Sequence, residues 1–391
     1  MAHNNKPDLK LWLPTTKKEM DIRGWDYVDV IIFSGDAYVD HPSFGAAVIG
    51  RTLEAEGLRV AIVPQPNWRD DLRDFKKLGK PRLFFGVSAG AMDSMVNHYT
   101  ANKRLRSDDA YTPDGKVGMR PDYPTIVYSN ILKELYPDTP IVIGGIEASM
   151  RRLAHYDYWQ DSFRKSILID SKADILVYGM GEKPIKAIAK ELADGKNISE
   201  LKDIPQTAVL TSVDSTKNDD KNITLHSYEV CLKDKRKDAE NFKIIDEESN
   251  RVTDITLWQT YNNCAVKVNP PFEPMSEEEI DASFDLPYTR LPHPKYSGKS
   301  LSAYEMIKFS VNLHRGCFGG CAFCAIAAHQ GKHITSRSER SVLEEVKQLT
   351  LMPDFKGYLS DLGGPSANMY KMGGKNKDMC KRCKRPSCLH P

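Results

Sequence analysis

Five short runs in the first half of the chain are apolar at nearly every position: Val28-Asp-Val-Ile-Ile-Phe33, Val60-Ala-Ile-Val63, Leu83-Phe-Phe-Gly-Val87, Ile141-Val-Ile143 and Ile175-Leu-Val-Tyr178. A strand with one wet face alternates apolar and polar residues. A run that does not alternate needs cover on both faces, which is the condition of a parallel sheet between helices. The first two runs are joined by a Ser34-Gly35-Asp36 turn and by a segment from Ser43 to Glu56 with helical periodicity. Val48, Ile49 and Leu53 lie on one side of that helix, and Gly57 ends it. Strand, helix, strand is a βαβ unit.

The other runs also end in Gly or Ser turns, where a doubly wound sheet places its ligand-binding loops. Residues 8–215 are therefore expected to form one Rossmann-like α/β domain with a parallel sheet. A chain of 391 residues has room for more. Residues 216–300 read as a charged and proline-rich extension. Lys217 to Asn222 is a polar loop, and Lys233 to Asn250 is charged with modest helical pattern. The prolines from Pro270 to Pro294 leave little regular structure to expect between 268 and 298. In residues 301–391, Met306 to Leu313 alternates like a strand, Ser338 to Thr350 has a helical apolar face, and Tyr358-Leu359 suits a second strand running into Asp361-Leu-Gly-Gly-Pro365.

Fifty-five basic and 53 acidic residues leave a net charge of +2, so bulk charge does not indicate nucleic acid. No stretch of about 18 apolar residues would cross a bilayer. Met1 to Lys10 is polar and lacks the apolar centre of a signal peptide, so a cytoplasmic location is expected.

Six of the eight cysteines crowd the last quarter of the chain. In a reducing compartment such clustering reads as metal chemistry. Cys317-Phe-Gly-Gly-Cys321-Ala-Phe-Cys324 sets three thiols in one glycine-rich loop directly after a strand. This arrangement suits a 4Fe-4S cluster with one iron left open to a small ligand. A zinc site is the alternative, although zinc usually takes four ligands in paired spacing and this triplet has no obvious fourth. Cys380, Cys383 and Cys388 form a second group that could hold an auxiliary cluster or zinc, with His390 as a further candidate ligand. They could equally be reduced thiols in a basic loop.

Cys317-x3-Cys321-x2-Cys324, with an aromatic residue before the third cysteine, resembles the signature of the radical S-adenosylmethionine (SAM) superfamily. Trp12-Leu-Pro-Thr-Thr, Gly35-Asp-Ala-Tyr-Val-Asp-His-Pro-Ser-Phe-Gly45, Ser88-Ala-Gly-Ala-Met-Asp-Ser-Met-Val-Asn-His-Tyr99, Leu291-Pro-His-Pro-Lys-Tyr296 and Asp361-Leu-Gly-Gly-Pro-Ser-Ala-Asn-Met369 further resemble the YgiQ family of radical SAM proteins (UPF0313 type). The resemblance implies a 4Fe-4S cluster on Cys317, Cys321 and Cys324. It implies reductive cleavage of SAM to a 5′-deoxyadenosyl radical, and a radical SAM enzyme acting on an unknown substrate. Phe323 would lie near the adenine of SAM, and Gly363 and Gly364 would receive its methionyl amino group. Pro365 stands where the family often has an acid, so Ser366 or a backbone carbonyl would take that contact. A reducing electron donor such as flavodoxin or ferredoxin is the implied partner. The superfamily's partial (β/α) barrel needs about six βα units. Residues 301–391 hold about half of that, so the chain is expected to be a fragment cut inside its barrel.

The glycine-rich strand ends at Gly144-Gly145 and Gly179-Met-Gly181 resemble the cobalamin-binding-like domain that precedes many such barrels. Asp40-His41-Pro-Ser-Phe-Gly45, however, departs by one residue from the Asp-x-His-x-x-Gly pattern of a cobalt-ligating histidine. Cobalamin is a candidate cofactor, and a domain that kept the shape without the corrin is the alternative. His98, His155, Asp36, Asp40 and Glu147 sit near predicted loop ends, where turn or capping roles are ordinary. Arg151-Arg152 is either an anion site or a solvated pair.

Overall fold

A computed structural model describes residues 7–365 and 367–389. The chain divides into two compact units, Met1–Ile141 with Leu286–Lys308, and Val142–Asp285 with Phe309–Pro391.

In the first unit, β1 (Val30–Ser34), β2 (Val60–Pro64) and β3 (Phe84–Ser88) are parallel in the order β2-β1-β3, with Val30 level with Val60 and Phe84. Every residue of β1 and β2 is buried, as the absence of alternation requires. Each fully buried Ile or Val there contributes roughly 1.5–3 kcal/mol. The helix Gly45–Ala55 covers one face. A β-carbon on its Gly50 would lie 2.5 Å from Leu13 Cδ1 and 3.6 Å from the Cδ1 atoms of Ile32 and Ile62, so the helix can come this close only with glycine there. Asp36 and Asp40, read as loop-end acids, are buried partners of arginines. Arg120 donates to Asp36 at 2.7 Å and to Asp109 at 3.1 Å, and Arg51 to Asp40 at 2.5 Å.

In the second unit, β4 (Ile141–Gly144) pairs parallel with β7 (Ile175–Val177), and β5 (His155–Asp157) forms a hairpin with β6 (Ser162–Arg164). Beyond β7 the sheet turns antiparallel. β8 (Thr207–Thr211) pairs with both β7 and β11 (Cys264–Val268), and β11 with β10 (Thr256–Tyr261), while β9 (Asn222–Thr224) runs parallel to β10. The α/β class expected from the strand runs is what the sheet shows, with an antiparallel wing added by the β10–β11 hairpin. The charged stretch forms the helix Lys235–Ser249.

Three expectations need correction. Regular structure does survive between 268 and 298, as the helix Glu277–Phe284, because Pro274 and Pro287 bracket it and no proline lies inside. Ser276 and Glu279 close a capping box at its start. Met306 and Ile307 end a helix, Ser302–Ile307, because Ala303 and Tyr304 are the residues that bury. The strand begins later, as β12 (Ser310–Asn312). The second strand is not Tyr358-Leu359 but β15 (Asp361–Gly363), parallel to β12 with Asn312 level with Gly363. Between them, β13 (His314–Arg315) pairs antiparallel with β14 (Thr335–Ser336). The helix Glu339–Thr350, capped by Ser338, closes a core of Phe309, Val311, Leu313, Val342 and Leu349. Among the described residues this is one β-helix-β unit of parallel sheet.

Candidate functional site

The register of β12 on β15 brings two loops to one sheet edge. Leu313 donates its N–H to the Gly363 carbonyl at 2.8 Å, so the chain leaving β13 and the chain leaving β15 emerge side by side. Buried His314 joins them. Its Nε2 accepts the Met369 N–H at 2.9 Å, and a β-carbon on Gly364 would lie only 2.0 Å from that nitrogen. Gly363 ends β15 and Gly364 follows it, so the two glycines sit where the cysteine loop begins.

That loop opens with Gly316 at φ +86°, where an added β-carbon would lie 2.1 Å from the His333 carbonyl oxygen. Its backbone is tied down. Gly316 N–H donates to Gln330 Oε1 at 3.1 Å, Cys317 N–H to the Gly331 carbonyl at 3.0 Å, and Cys324 N–H to the Cys321 carbonyl at 3.0 Å. Cys317 is buried with Phe318 and Met369, against Ile326 and Ile334. Cys324 is half-buried and Cys321 exposed. A β-carbon on Gly319 would stand 3.4 Å from Cys317 Sγ and 3.8 Å from Cys321 Sγ. The missing side chain therefore leaves a cradle between two thiols. Phe323 is 93% exposed beside them.

None of the eight cysteines is in a disulfide. Among the described residues no three His, Cys, Asp or Glu side chains converge on a single ion. A cubane asks for something else, since each thiolate takes a different iron and the thiols stand around a cluster-sized space. Three thiols on a glycine-rich loop, one buried, one half-buried and one exposed, fit that need.

Part of the support was not legible as motif. Glu182, at the start of the helix Glu182–Ala193, is buried against Arg315 of β13 and accepts from Ser283 Oγ at 3.1 Å. Burial opposes its charge, but the Arg315 guanidinium outweighs that and holds the carboxyl below its ordinary range. Buried Lys332 donates to the carbonyls of Cys383 (3.1 Å) and Arg385 (2.9 Å), and Cys388 N–H donates to the Phe318 carbonyl at 3.1 Å. The second cysteine segment is thus docked by its backbone on the first. Ser366 and His390, named above as candidate ligands, lie outside the described residues. No local spacing announces these contacts, because their partners are far apart in sequence.

His98 Nδ1 lies 2.7 Å from Asp122 Oδ1, and His155 Nδ1 lies 3.1 Å from the Leu153 carbonyl. Glu147 is buried in the helix Gly145–Met150. His41 is buried, its Nδ1 accepts the Ser43 N–H at 3.1 Å, and its Nε2 has no partner among the described residues.

The family model for the radical SAM N-terminal region matches residues 12–310. The chain belongs to this radical SAM family, and within it to the UPF0313 proteins. It is 67% identical to the UPF0313 protein of Bacteroides thetaiotaomicron over 391 residues, covering 97% of this chain and 63% of that one. It is 68% identical to the UPF0313 protein of Porphyromonas gingivalis (97% and 60%) and 45% identical to the UPF0313 protein YgiQ of Escherichia coli strain K12 (97% and 59%). The chain thus spans about 60% of the length of these relatives. Among solved structures, the radical SAM methyltransferase TsrM of Kitasatospora setae, with cobalamin and a 4Fe-4S cluster bound, matches at 16% identity and TM-score 0.44. The match covers 82% of this chain and 45% of that one. Among the described residues no helix is long and apolar enough to cross a membrane.

Proposed function

We propose that this chain carries the cluster-binding part of a radical SAM enzyme. The observation that supports it most is the position of three thiols, two of them beside the empty flank of Gly319, at the sheet edge where Gly363-Gly364 also ends. A 4Fe-4S cluster bound by three thiolates leaves one iron for the amino and carboxylate groups of SAM and, once reduced, supplies the electron that splits SAM into methionine and a 5′-deoxyadenosyl radical. Cys317, Cys321 and Cys324 hold the cluster. Phe318, Met369, Ile326 and Ile334 keep water from the Cys317 side. Gly363 and Gly364, which carry no side chain, let the methionyl amino group approach the backbone at this strand end, and exposed Phe323 offers a ring to the adenine. A substrate and an electron donor of the flavodoxin or ferredoxin kind are the partners this reaction needs. In the N-terminal unit, His41 is turned inward and closed to solvent, which favours a domain that has kept the cobalamin-binding shape without the corrin.

The test is electron paramagnetic resonance on the chain reconstituted anaerobically with iron and sulfide, then reduced, with and without SAM. A reduced 4Fe-4S signal that SAM shifts, and that Cys321→Ala abolishes, is the expected result. A cluster indifferent to SAM would make the chain an electron carrier. Stoichiometric zinc without a cluster would sink the radical reading.

A further inference from the structure

The second unit encloses a cavity of about 170 Å³ whose wall includes Gln330 and Gly331, the two residues hydrogen-bonded to the start of the cysteine loop. Arg152 and His329 line it, together with the apolar Leu257, Val268 and Phe272. Its charges are unevenly matched. Arg315 has Glu182, Arg251 has Glu248, Lys183 has Glu279, and Lys332 has its two carbonyls. Arg152 has no carboxylate among the described residues. Its Nη1 donates to the Ser149 carbonyl at 2.7 Å, its guanidinium lies 5.0 Å from the Tyr178 ring centre, and its Nε is buried without a partner. His329, with Nδ1 3.2 Å from Ser149 Oγ, is held neutral by burial, which pushes its pKa down to about 4, so it adds no second positive charge beside Arg152. Arg152 as a whole is half-buried, and a guanidinium drawn partly out of water without a counter-charge is costly; a bidentate oxyanion is the group that best matches its fork.

We propose that this cavity binds a small organic oxyanion, with its charged head on Arg152 and its apolar body between Leu257, Val268 and Phe272. The volume, equal to about five or six water molecules, suits a short-chain acid or phosphate ester. Its place behind the cysteine loop makes this the substrate class of the reaction proposed above, and only that role rests on the radical SAM reading.

The experiment uses the full chain before cluster reconstitution, so its failure leaves the paramagnetic resonance test standing. Butanoate, butyl phosphate and neutral butanol are titrated by calorimetry. At least one anion is expected to bind, and butanol not to. Arg152→Gln should weaken that anion roughly tenfold or more, with Arg152→Lys in between. Because Arg152 has no acid partner, Arg152→Gln should leave the ligand-free unfolding midpoint unchanged or raised, whereas a structural ion pair would lower it. If the glutamine variant does not fold, Val268→Trp, which fills the cavity from its apolar side, should abolish binding instead. Tighter butanoate identifies an acid and tighter butyl phosphate a phosphate ester. Neither anion binding, equal binding by the variants, or displacement of the anion by SAM would overturn the proposal.

Discussion

At the scale of single residues, burial does the same thing to five imidazoles. His41, His155, His314, His329 and His333 all have pKa values lowered, desolvation being the largest cause in each, and His155 and His329 reach about 4. In the unfolded chain these rings protonate near 6.5. Between about 6.5 and 4 the unfolded state therefore binds protons that the folded state refuses, and stability falls as pH falls through that window. The shift of His155 or His329 is worth up to ~3 kcal/mol at the bottom of it. Urea midpoints measured at pH 7.5, 6 and 5 should drop steadily, and His155→Gln should flatten the slope. Equal slopes in variant and parent would contradict the account. Glu19, held down to about 2 where hydrogen bonds and charge from His293 outweigh desolvation by burial, acts in a separate window below about 4.5. Nothing in a local sequence window separates these histidines from the surface ones, since burial belongs to the packed chain.

At the scale of elements, the cysteine loop depends on contacts that cross long stretches of sequence. Its stem, β13, is anchored by the Arg315–Glu182 pair, and the Arg315 guanidinium also lies 4.9 Å from the Phe284 ring centre. Removing one member of such a buried pair leaves the other charge uncompensated and costs roughly 3–5 kcal/mol, while replacing both with apolar residues recovers much of the loss. Glu182→Ala should therefore lower the urea midpoint and the iron retained after reconstitution. Glu182→Leu combined with Arg315→Met should recover most of the midpoint. A single-variant effect below ~1 kcal/mol would mean that the pair does not hold the stem. Element existence was legible wherever a run was continuously apolar, as in β1 to β4 and β7. It failed at Met306 and Tyr358, where short patterns suited more than one structure and packing chose between them.

At the scale of the whole molecule, the stretch from Lys375 to Arg385 is rich in basic residues. Part of that charge is spent within the fold, with Lys381 3.1 Å from Glu273 and Lys384 3.0 Å from Glu247, and the net charge is only +2. Fluorescence anisotropy with a labelled single-stranded RNA should accordingly show weak binding with a shallow salt slope. A steep loss of affinity between 50 and 200 mM salt would show that several of these cations face phosphate instead. The sequence by itself determined the α/β class, the strand runs and the cysteine loop with its glycines, because apolar periodicity and ligand spacing are local properties of the chain. Only the tertiary structure decided that Gly363-Gly364 meets the cysteine loop through His314, that Glu182 braces Arg315, and that Arg152 lines a cavity whose own acids, Glu248 and Glu273, are paired with Arg251 and Lys381. Each of those depends on which distant residues share one buried space, and burial sets the cost of every charge placed there.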